Sequence, residues 1–223
     1  PFSYHYSFQQ LAQNSKLLLD SLGIRSFCLL GHSMGGMLAA RFALMYPGMV
    51  EKLVLENPIG LEDWKTVVAY TSVDKNYQSE LKQDYETVKK YQLDNYYNGK
   101  WKDEYDEWVY LLTGWTKHPS YPTIAWNNAL TSDMVFTQPV LYEFKNIKSP
   151  TLLMIGTRDR TAIGKNNAPD SIRKTLGQYQ LLGKATQHKI SGSKLVEFED
   201  VGHLPHIESF DRFITPLIEY LKS

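Results

Sequence analysis

The apolar residues of this chain fall into short continuous runs that alternate with stretches of helical spacing. Four of the runs have the length and composition of buried strands, at 27–30, 53–55, 151–155 and 195–198. Helical spacing predicts helices that begin after Ser7, at Met34 and near Ser209, and Ser7 with Gln10 has the form of a capping box. Continuous apolar strands that alternate with helices are typical of a parallel sheet covered on both faces. The pattern therefore predicts an α/β fold.

The stretch 60–139 interrupts this alternation. It has no clear strand, and it contains all five tryptophans and nine of the fifteen tyrosines. Such a stretch is too long for a simple connection between two strands. We therefore predict that residues 1–59 and 140–223 form a core and that residues 60–139 form a mostly helical insertion.

Composition and charge exclude several classes of protein. The 24 Lys and Arg residues balance the 24 Asp and Glu residues, whereas a nucleic-acid-binding protein needs a basic surplus. No run of about 18 apolar residues is present, so we expect no membrane span. The single cysteine, Cys28, excludes an intrachain disulfide and a cysteine-based metal site, and its apolar surroundings predict that it is buried.

The first predicted strand ends in a motif with a specific geometric demand. Residues 31–35 have the pattern G-x-S-x-G, which places Ser33 on a tight turn between a strand and a helix. We expect a positive φ at Ser33, and we expect that a Cβ at Gly31 or at Gly35 would collide with the other side of the turn. The backbone N–H of Met34, at the N-terminus of the following helix, can stabilise developing negative charge.

A serine hydroxyl becomes a good nucleophile only when a base takes its proton. His203 follows the last strand, at the edge of a parallel sheet where sites form, and we predict that it is this base. His206 is the competing histidine, and we expect it to lie beside the site.

The third member of such a site orients the imidazole and stabilises its charged form. Asp159 follows the strand at 151–155 and falls at the same edge of the sheet, so we predict that it is this acid. Glu56 ends the strand at 53–55, also at this edge, and is the alternative acid.

Three segments together resemble the α/β-hydrolase superfamily. GHSMGG at 31–36 resembles its nucleophile turn, GTRD at 156–159 its acid turn and GHLP at 202–205 its histidine loop. NPIGLEDW at 57–64 and TAIGK at 161–165 resemble a cap-containing bacterial subgroup of serine hydrolases. The resemblance implies an α/β-hydrolase parallel sheet with helices on both faces and a helical cap insertion at 60–139.

The chain departs from the superfamily at its start. The resemblance implies further strands before the helix near Ser7, and a loop among them would supply a second oxyanion donor beside Met34. We therefore expect that this chain lacks the first strands, that a further N-terminal segment or chain completes the sheet, and that the chain alone is inactive. The strand ending at Leu30 would then be an exposed apolar edge. The compartment is left open between cytoplasm and periplasm.

The resemblance also implies a function. It indicates a serine hydrolase that acts on a carboxylic ester through an acyl-enzyme, with no metal ion or organic cofactor. A C–C bond hydrolase or a cofactor-free perhydrolase on the same residues is one alternative, and a catalytically silent binding protein is another. The expected partner is a fairly apolar small molecule, with His32, Trp64 and Trp126 as candidate contacts, although most cap aromatics are expected to build the core of the cap.

Overall fold

The computed structural model describes residues 4–223 and contains a four-stranded parallel sheet. Its strands are β1 (Phe27–His32), β2 (Val50–Glu56), β3 (Thr151–Gly156) and β4 (Lys194–Phe198). They lie side by side in chain order, and all three pairings are parallel. The four strands expected from the apolar runs and the parallel α/β fold are therefore confirmed.

The described residues also form ten α-helices. They are α1 (Phe8–Ser21), α2 (Met34–Met45), α3 (Val73–Glu80), α4 (Tyr85–Asn95), α5 (Asp106–Thr113), α6 (Tyr121–Thr137), α7 (Asp170–Arg173), α8 (Tyr179–Lys189), α9 (Pro205–Glu208) and α10 (Phe210–Lys222). Helices α3 to α6 occupy the stretch between β2 and β3, and their assignment to a separate insertion stays a prediction. Within residues 4–223, none of the helices has both the length and the apolar character needed to cross a membrane.

Each face of the sheet packs against its own helices, because successive residues of a strand point to opposite faces. Leu53 of β2 and Ile155 of β3 are buried with side chains of α1, α2 and α8. Val54 and Met154, their neighbours along the strands, are buried against α10. This double cover explains why β2 and β3 appear in the sequence as unbroken apolar runs.

Helix α1 begins where the sequence predicts. Ser7 Oγ accepts a hydrogen bond from the Gln10 N–H at 3.0 Å and so caps the helix. The second half of the predicted capping box does not form, since the Gln10 side chain donates instead to Asn14 Oδ1 at 2.9 Å. Gly23, with φ +71°, follows the C-terminus, as expected for a glycine that ends a helix.

The prediction that Cys28 is buried is wrong. β1 lies at the edge of the sheet, and β2 is its one strand neighbour within residues 4–223. Cys28 is exposed, and Leu30, two residues further and therefore on the same face, is 41% exposed. An apolar run in a sequence does not distinguish a strand covered on both faces from one that is open on a single face.

Lys52 of β2 stabilises the C-terminus of α10. Its Nζ donates hydrogen bonds to the backbone oxygens of Tyr220 and Leu221 at 2.9 and 3.0 Å. A cation is favourable at this end of a helix, so Lys52→Met should lower the free energy of unfolding by about 1 kcal/mol. Urea denaturation measures the change, with Lys145→Met at an exposed position as the control. Equal effects of the two substitutions would contradict this role.

Candidate active site

The candidate site lies at the edge of the sheet where all four strands have their carboxyl ends. Ser33 follows β1, Asp159 lies in the turn after β3, and His203 lies in the loop after β4. Because parallel strands in register end together, these turns meet although they are far apart in the sequence. The structure therefore brings together the three residues predicted as nucleophile, base and acid.

Ser33, His203 and Asp159 form a hydrogen-bonded chain. His203 Nε2 lies 2.9 Å from Ser33 Oγ, and His203 Nδ1 lies 2.6 Å from Asp159 Oδ2. A carboxylate only accepts hydrogen bonds, so the imidazole proton is on Nδ1 and Nε2 can accept the hydroxyl proton of Ser33. The side chains of His203 and Asp159 are 1% and 0% exposed, so water hardly competes for these bonds.

Asp159 stays ionised although it is buried. Burial acts to raise the pKa of Asp159, but the neighbouring His203 and the hydrogen bond from the Thr161 N–H at 2.8 Å outweigh that effect. The pKa of Asp159 therefore lies below its ordinary value. An ionised carboxylate in this position can stabilise a positively charged imidazole at His203.

Asn57 is a site residue that the sequence analysis missed. Its Nδ2 donates to Asp159 Oδ2 at 2.8 Å, and its Oδ1 accepts from the Gly156 N–H at 2.8 Å. The residue is fully buried, with φ +34°. Asn57 thus ties the end of β2 to the end of β3 and holds Asp159 in place. The position of Asn57 directly after a predicted strand, at the edge where the site lies, is the sequence feature that could have identified it.

Glu56, the alternative acid, faces a different histidine. Its Oε1 accepts hydrogen bonds from His206 Nδ1 at 2.7 Å and from the His206 N–H at 3.2 Å. Within residues 4–223 no hydrogen bond joins Glu56 to His203. Glu56 and His206 are therefore a second carboxylate–imidazole pair beside the first.

His32 lies between the two other histidines of the site. Its ring centroid is 4.9 Å from that of His203 and 5.1 Å from that of His206. Its Nε2 donates to the backbone oxygen of His203 at 2.9 Å. Burial, together with the neighbouring His203, lowers the pKa of His32 to about 4, so this ring is neutral at pH 7. His32 therefore holds the loop at 202–205 through this hydrogen bond and packs against the ring of His203.

Ser33 has the strained backbone that the motif predicts, with φ 54° and ψ −123°. Its N–H donates to the backbone oxygen of Glu56 at 3.2 Å. Its carbonyl oxygen accepts from the N–H groups of Gly36 and Ile59 at 2.9 and 3.1 Å. These bonds hold the turn against the end of β2. Met34 is the first residue of α2, so its N–H has no partner within the helix and is available at the site.

The expectation about the two glycines of the turn is half right. A Cβ on Gly31 would lie 2.3 Å from the Gly35 oxygen, which excludes a side chain there. A Cβ on Gly35 would meet nothing within 4 Å, because it is the Gly35 carbonyl that approaches Gly31. Gly36 is the second restricted position, since a Cβ there would lie 2.4 Å from Pro58 Cβ.

The two tryptophans predicted to contact substrate are not joined to this site. Within residues 4–223, Trp64 and Trp126 make no hydrogen bond or ring contact with Ser33 or His203. Trp64 is 3% exposed and belongs to the core, whereas Trp126 on α6 is 39% exposed. The ring that packs on His203 from the stretch between β2 and β3 is that of Tyr96, with a centroid distance of 4.7 Å.

Arg158 and Glu208 form an ion pair that joins three segments next to the imidazole. Arg158 donates to the backbone oxygens of Tyr96 at 3.0 Å and Asp200 at 2.9 Å. Glu208 Oε2 accepts from the Gly202 N–H at 2.7 Å. The two charged side chains are 19% and 16% exposed. The pair therefore connects three segments: the turn after β3, the loop that carries His203, and Tyr96, whose ring packs on that of His203.

The chemistry available here is proton transfer and nucleophilic attack by the serine hydroxyl. The N-terminus of α2, directly after Ser33, provides a favourable place for negative charge. The part of the chain that the structure describes contains no group of three or more His, Cys, Asp or Glu side chains able to hold a metal ion.

A protein-family model described as alpha/beta hydrolase fold matches residues 2–210. The chain belongs to this family. Solved structures of other proteins agree with that membership. This alpha/beta hydrolase is similar to a probable hydrolytic enzyme from Pseudomonas aeruginosa PAO1, with 49% identity and a TM-score of 0.97, and the match covers 100% of this chain and 72% of that chain.

Two more distant proteins are also similar. The esterase from Exiguobacterium antarcticum is 19% identical with a TM-score of 0.69, over 99% of this chain and 75% of that chain, a likeness that shows the fold alone. A serine hydrolase-like protein from Danio rerio is 29% identical over 84 residues, which are 38% of this chain. The match spans 26% of that relative's length, about a quarter.

The glycine contacts predict opposite effects of two neighbouring substitutions. Gly36→Ala should lower the free energy of unfolding by about 1–3 kcal/mol, because the new methyl group overlaps Pro58. Gly35→Ala is the matched control and should leave stability unchanged or raise it by up to about 1 kcal/mol, since alanine favours a helix. Urea denaturation measures both, and a larger loss for Gly35→Ala would contradict the contacts described.

The Arg158–Glu208 pair predicts an effect on the reactivity of Ser33. Glu208→Ala should lower the rate at which a fluorophosphonate labels Ser33 by about ten- to a hundredfold, because a displaced imidazole activates the hydroxyl poorly. Glu208→Gln, which keeps an acceptor for the Gly202 N–H, should lose less. Glu199→Ala, at an exposed position of the same loop, is the control. Equal losses for the two alanine variants would refute the positioning role.

Proposed function

We propose that this alpha/beta hydrolase cleaves a carboxylic ester, with Ser33 as nucleophile, His203 as general base and Asp159 as the acid that orients His203. The observation that carries the proposal is the hydrogen-bonded chain of these three side chains at the carboxyl edge of the sheet. Ser33 Oγ attacks the ester carbonyl while His203 Nε2 takes its proton. Asp159 stabilises the positively charged imidazole that results.

The tetrahedral intermediate then carries its negative charge near the N-terminus of α2. The Met34 N–H is the proposed donor to this oxyanion, and such donors contribute strongly because they are already oriented. His203 returns its proton to the leaving alcohol, which leaves an acyl group on Ser33. Water, deprotonated by His203, attacks the acyl carbon. The bond from this carbon to Ser33 Oγ then breaks, Oγ takes back the proton from His203, and the carboxylic acid is released.

Helices α3 to α6 are proposed to form a cap over this edge of the sheet. The contact of Tyr96 with the imidazole of His203 supports this arrangement, since Tyr96 directly follows α4. A small-molecule ester would then be held between the cap and the turn that carries Ser33.

The proposal predicts one reactive serine. A fluorophosphonate should label the protein at Ser33, as read by mass spectrometry, and Ser33→Ala should abolish the labelling. The same substitution should lower the hydrolysis of p-nitrophenyl esters by roughly 10⁴-fold or more, because it removes the proposed nucleophile. Labelling at another residue would refute the proposal. Turnover of a vinylogous diketone without turnover of esters would assign C–C bond hydrolysis instead.

The identity of the acid gives a second prediction. Asp159→Asn should lower kcat by roughly 10⁴-fold, because an amide favours the wrong tautomer of His203. Glu56→Gln is the matched control and should change kcat by less than about tenfold, since Glu56 bonds to His206. Steady-state kinetics on a p-nitrophenyl ester measure both. The reverse order of effects would transfer the acid role to Glu56.

A further inference from the structure

Helix α5 and the short 3-10 helix that follows it, Gly114–Lys117, expose a stripe of large apolar side chains. Each member of this apolar stripe is between 40% and 59% exposed, and the members are Trp108, Leu111, Leu112 and Trp115. Because these residues are three or four positions apart, they lie along one face of the helix. The buried side chains of α5, Val109 and Thr113, lie on another face. Soluble monomers rarely expose a continuous apolar surface of this kind, so the stripe marks an interaction site.

The apolar stripe is nearly symmetric about its own midpoint. A tryptophan lies at each end, and the two leucines lie between them. A two-fold axis across the stripe would place Trp108 of one copy against Trp115 of a second copy. The same axis would place Leu111 against Leu112. Both contacts are reciprocal, as the interface of a two-fold dimer requires, so this surface can pair with itself.

Two charged residues beside the apolar stripe complement each other in the same arrangement. Glu107 lies at its N-terminal end and Lys117 at its C-terminal end, and both are exposed. They lie on the same side of the stripe, because Gly114 is about two α-helical turns after Glu107 and Lys117 is one 3-10 turn after Gly114. In an antiparallel pairing, Glu107 of each copy therefore comes close to Lys117 of the other. Two ion pairs of this kind favour one direction of docking.

A lipid surface fits the apolar stripe less well than a second copy does. Helices that lie on membranes typically carry Lys or Arg beside their apolar face. Helix α5 contains neither, and the exposed Glu107 at its start would be repelled by anionic headgroups. A second copy, in contrast, matches both the acidic and the basic end of the stripe.

We propose that the apolar stripe is the interface of a two-fold symmetric dimer of this chain, in which the α5 helices of the two copies are antiparallel. Trp108 and Trp115 are the main contacts, since large aromatic side chains contribute most to such interfaces. Interfaces of standard size bury roughly 800 Å² on each partner. A single helical face is smaller than that, so monomer and dimer are expected in an equilibrium that depends on concentration.

Sedimentation velocity over a series of protein concentrations tests the dimer. Leu111→Lys should weaken it by about a hundredfold, because the substitution brings two ammonium groups into an apolar contact. Leu18→Lys on α1 is the matched control and should change nothing, since Leu18 is 60% exposed and Leu111 59%. Monomer alone up to about 100 µM would overturn the proposal, as would a dimer that Leu111→Lys weakens no more than Leu18→Lys does.

An exchange of charges tests the antiparallel direction. Glu107→Lys should weaken the dimer by about tenfold at low salt, because the new lysine faces Lys117 of the other copy in both symmetric contacts. Lys117→Glu should weaken it similarly through Glu107. The double variant restores both ion pairs with the signs reversed and should regain about the original affinity. Circular dichroism confirms that each variant is folded. A double variant that dimerises no better than the single ones would refute the antiparallel pairing.

Flotation with vesicles of phosphatidylcholine, and of phosphatidylcholine with phosphatidylserine, tests the competing occupant. The protein should remain unbound to both kinds of vesicle. Binding to vesicles by a protein that stays monomeric in solution, lost in Leu111→Lys, would assign the apolar stripe to a lipid surface and overturn the dimer.

Discussion

The parallel register of the four strands is the constraint on which the site depends. His32 of β1 pairs with Glu56 of β2, and Gly156 of β3 pairs with Phe198 of β4, so the strands end at a common edge. Ser33, Asp159 and His203 all lie in turns or loops at this edge. A slip of one residue in any pairing would turn the alternate side chains to the other face of the sheet and move its turn away. The packing of β2 and β3 on both faces opposes such a slip, because their alternate residues are buried against different helices.

Much of this fold was predictable from periodicity, because strands covered on both faces must be apolar at every position. The same reasoning failed at Cys28, where the apolar run belongs to a strand whose one side is open to solvent. The turn at Ser33 was predictable in its backbone strain, since the motif itself requires a positive φ. That Gly36 rather than Gly35 excludes a side chain was not predictable, because the decisive neighbour of Gly36 is Pro58, more than twenty residues further along the chain.

The candidate acid could not be chosen from position alone. Glu56 ends β2 and Asp159 follows β3 at the same edge. The sequence does not show which imidazole each one meets. In the structure the loop after β4 places His203 beside Asp159, and the short helix α9 places His206 beside Glu56. Asn57 was missed for the same reason, since only the folded turn shows that its amide is directed at the carboxylate. Side-chain direction in these turns is a tertiary property, which local spacing does not encode.

The low pKa of His32 has a consequence for how the protein tolerates acid. The unfolded chain would protonate this imidazole near pH 6.5, whereas the folded protein resists protonation until about pH 4. Between these two values the unfolded state binds more protons than the folded state, so His32 makes folding progressively less favourable as the pH falls. His32, packed between two other histidines, thus makes the stability of the folded protein sensitive to acid. This contribution to the free energy of unfolding disappears above about pH 6.5, where His32 is neutral in both states.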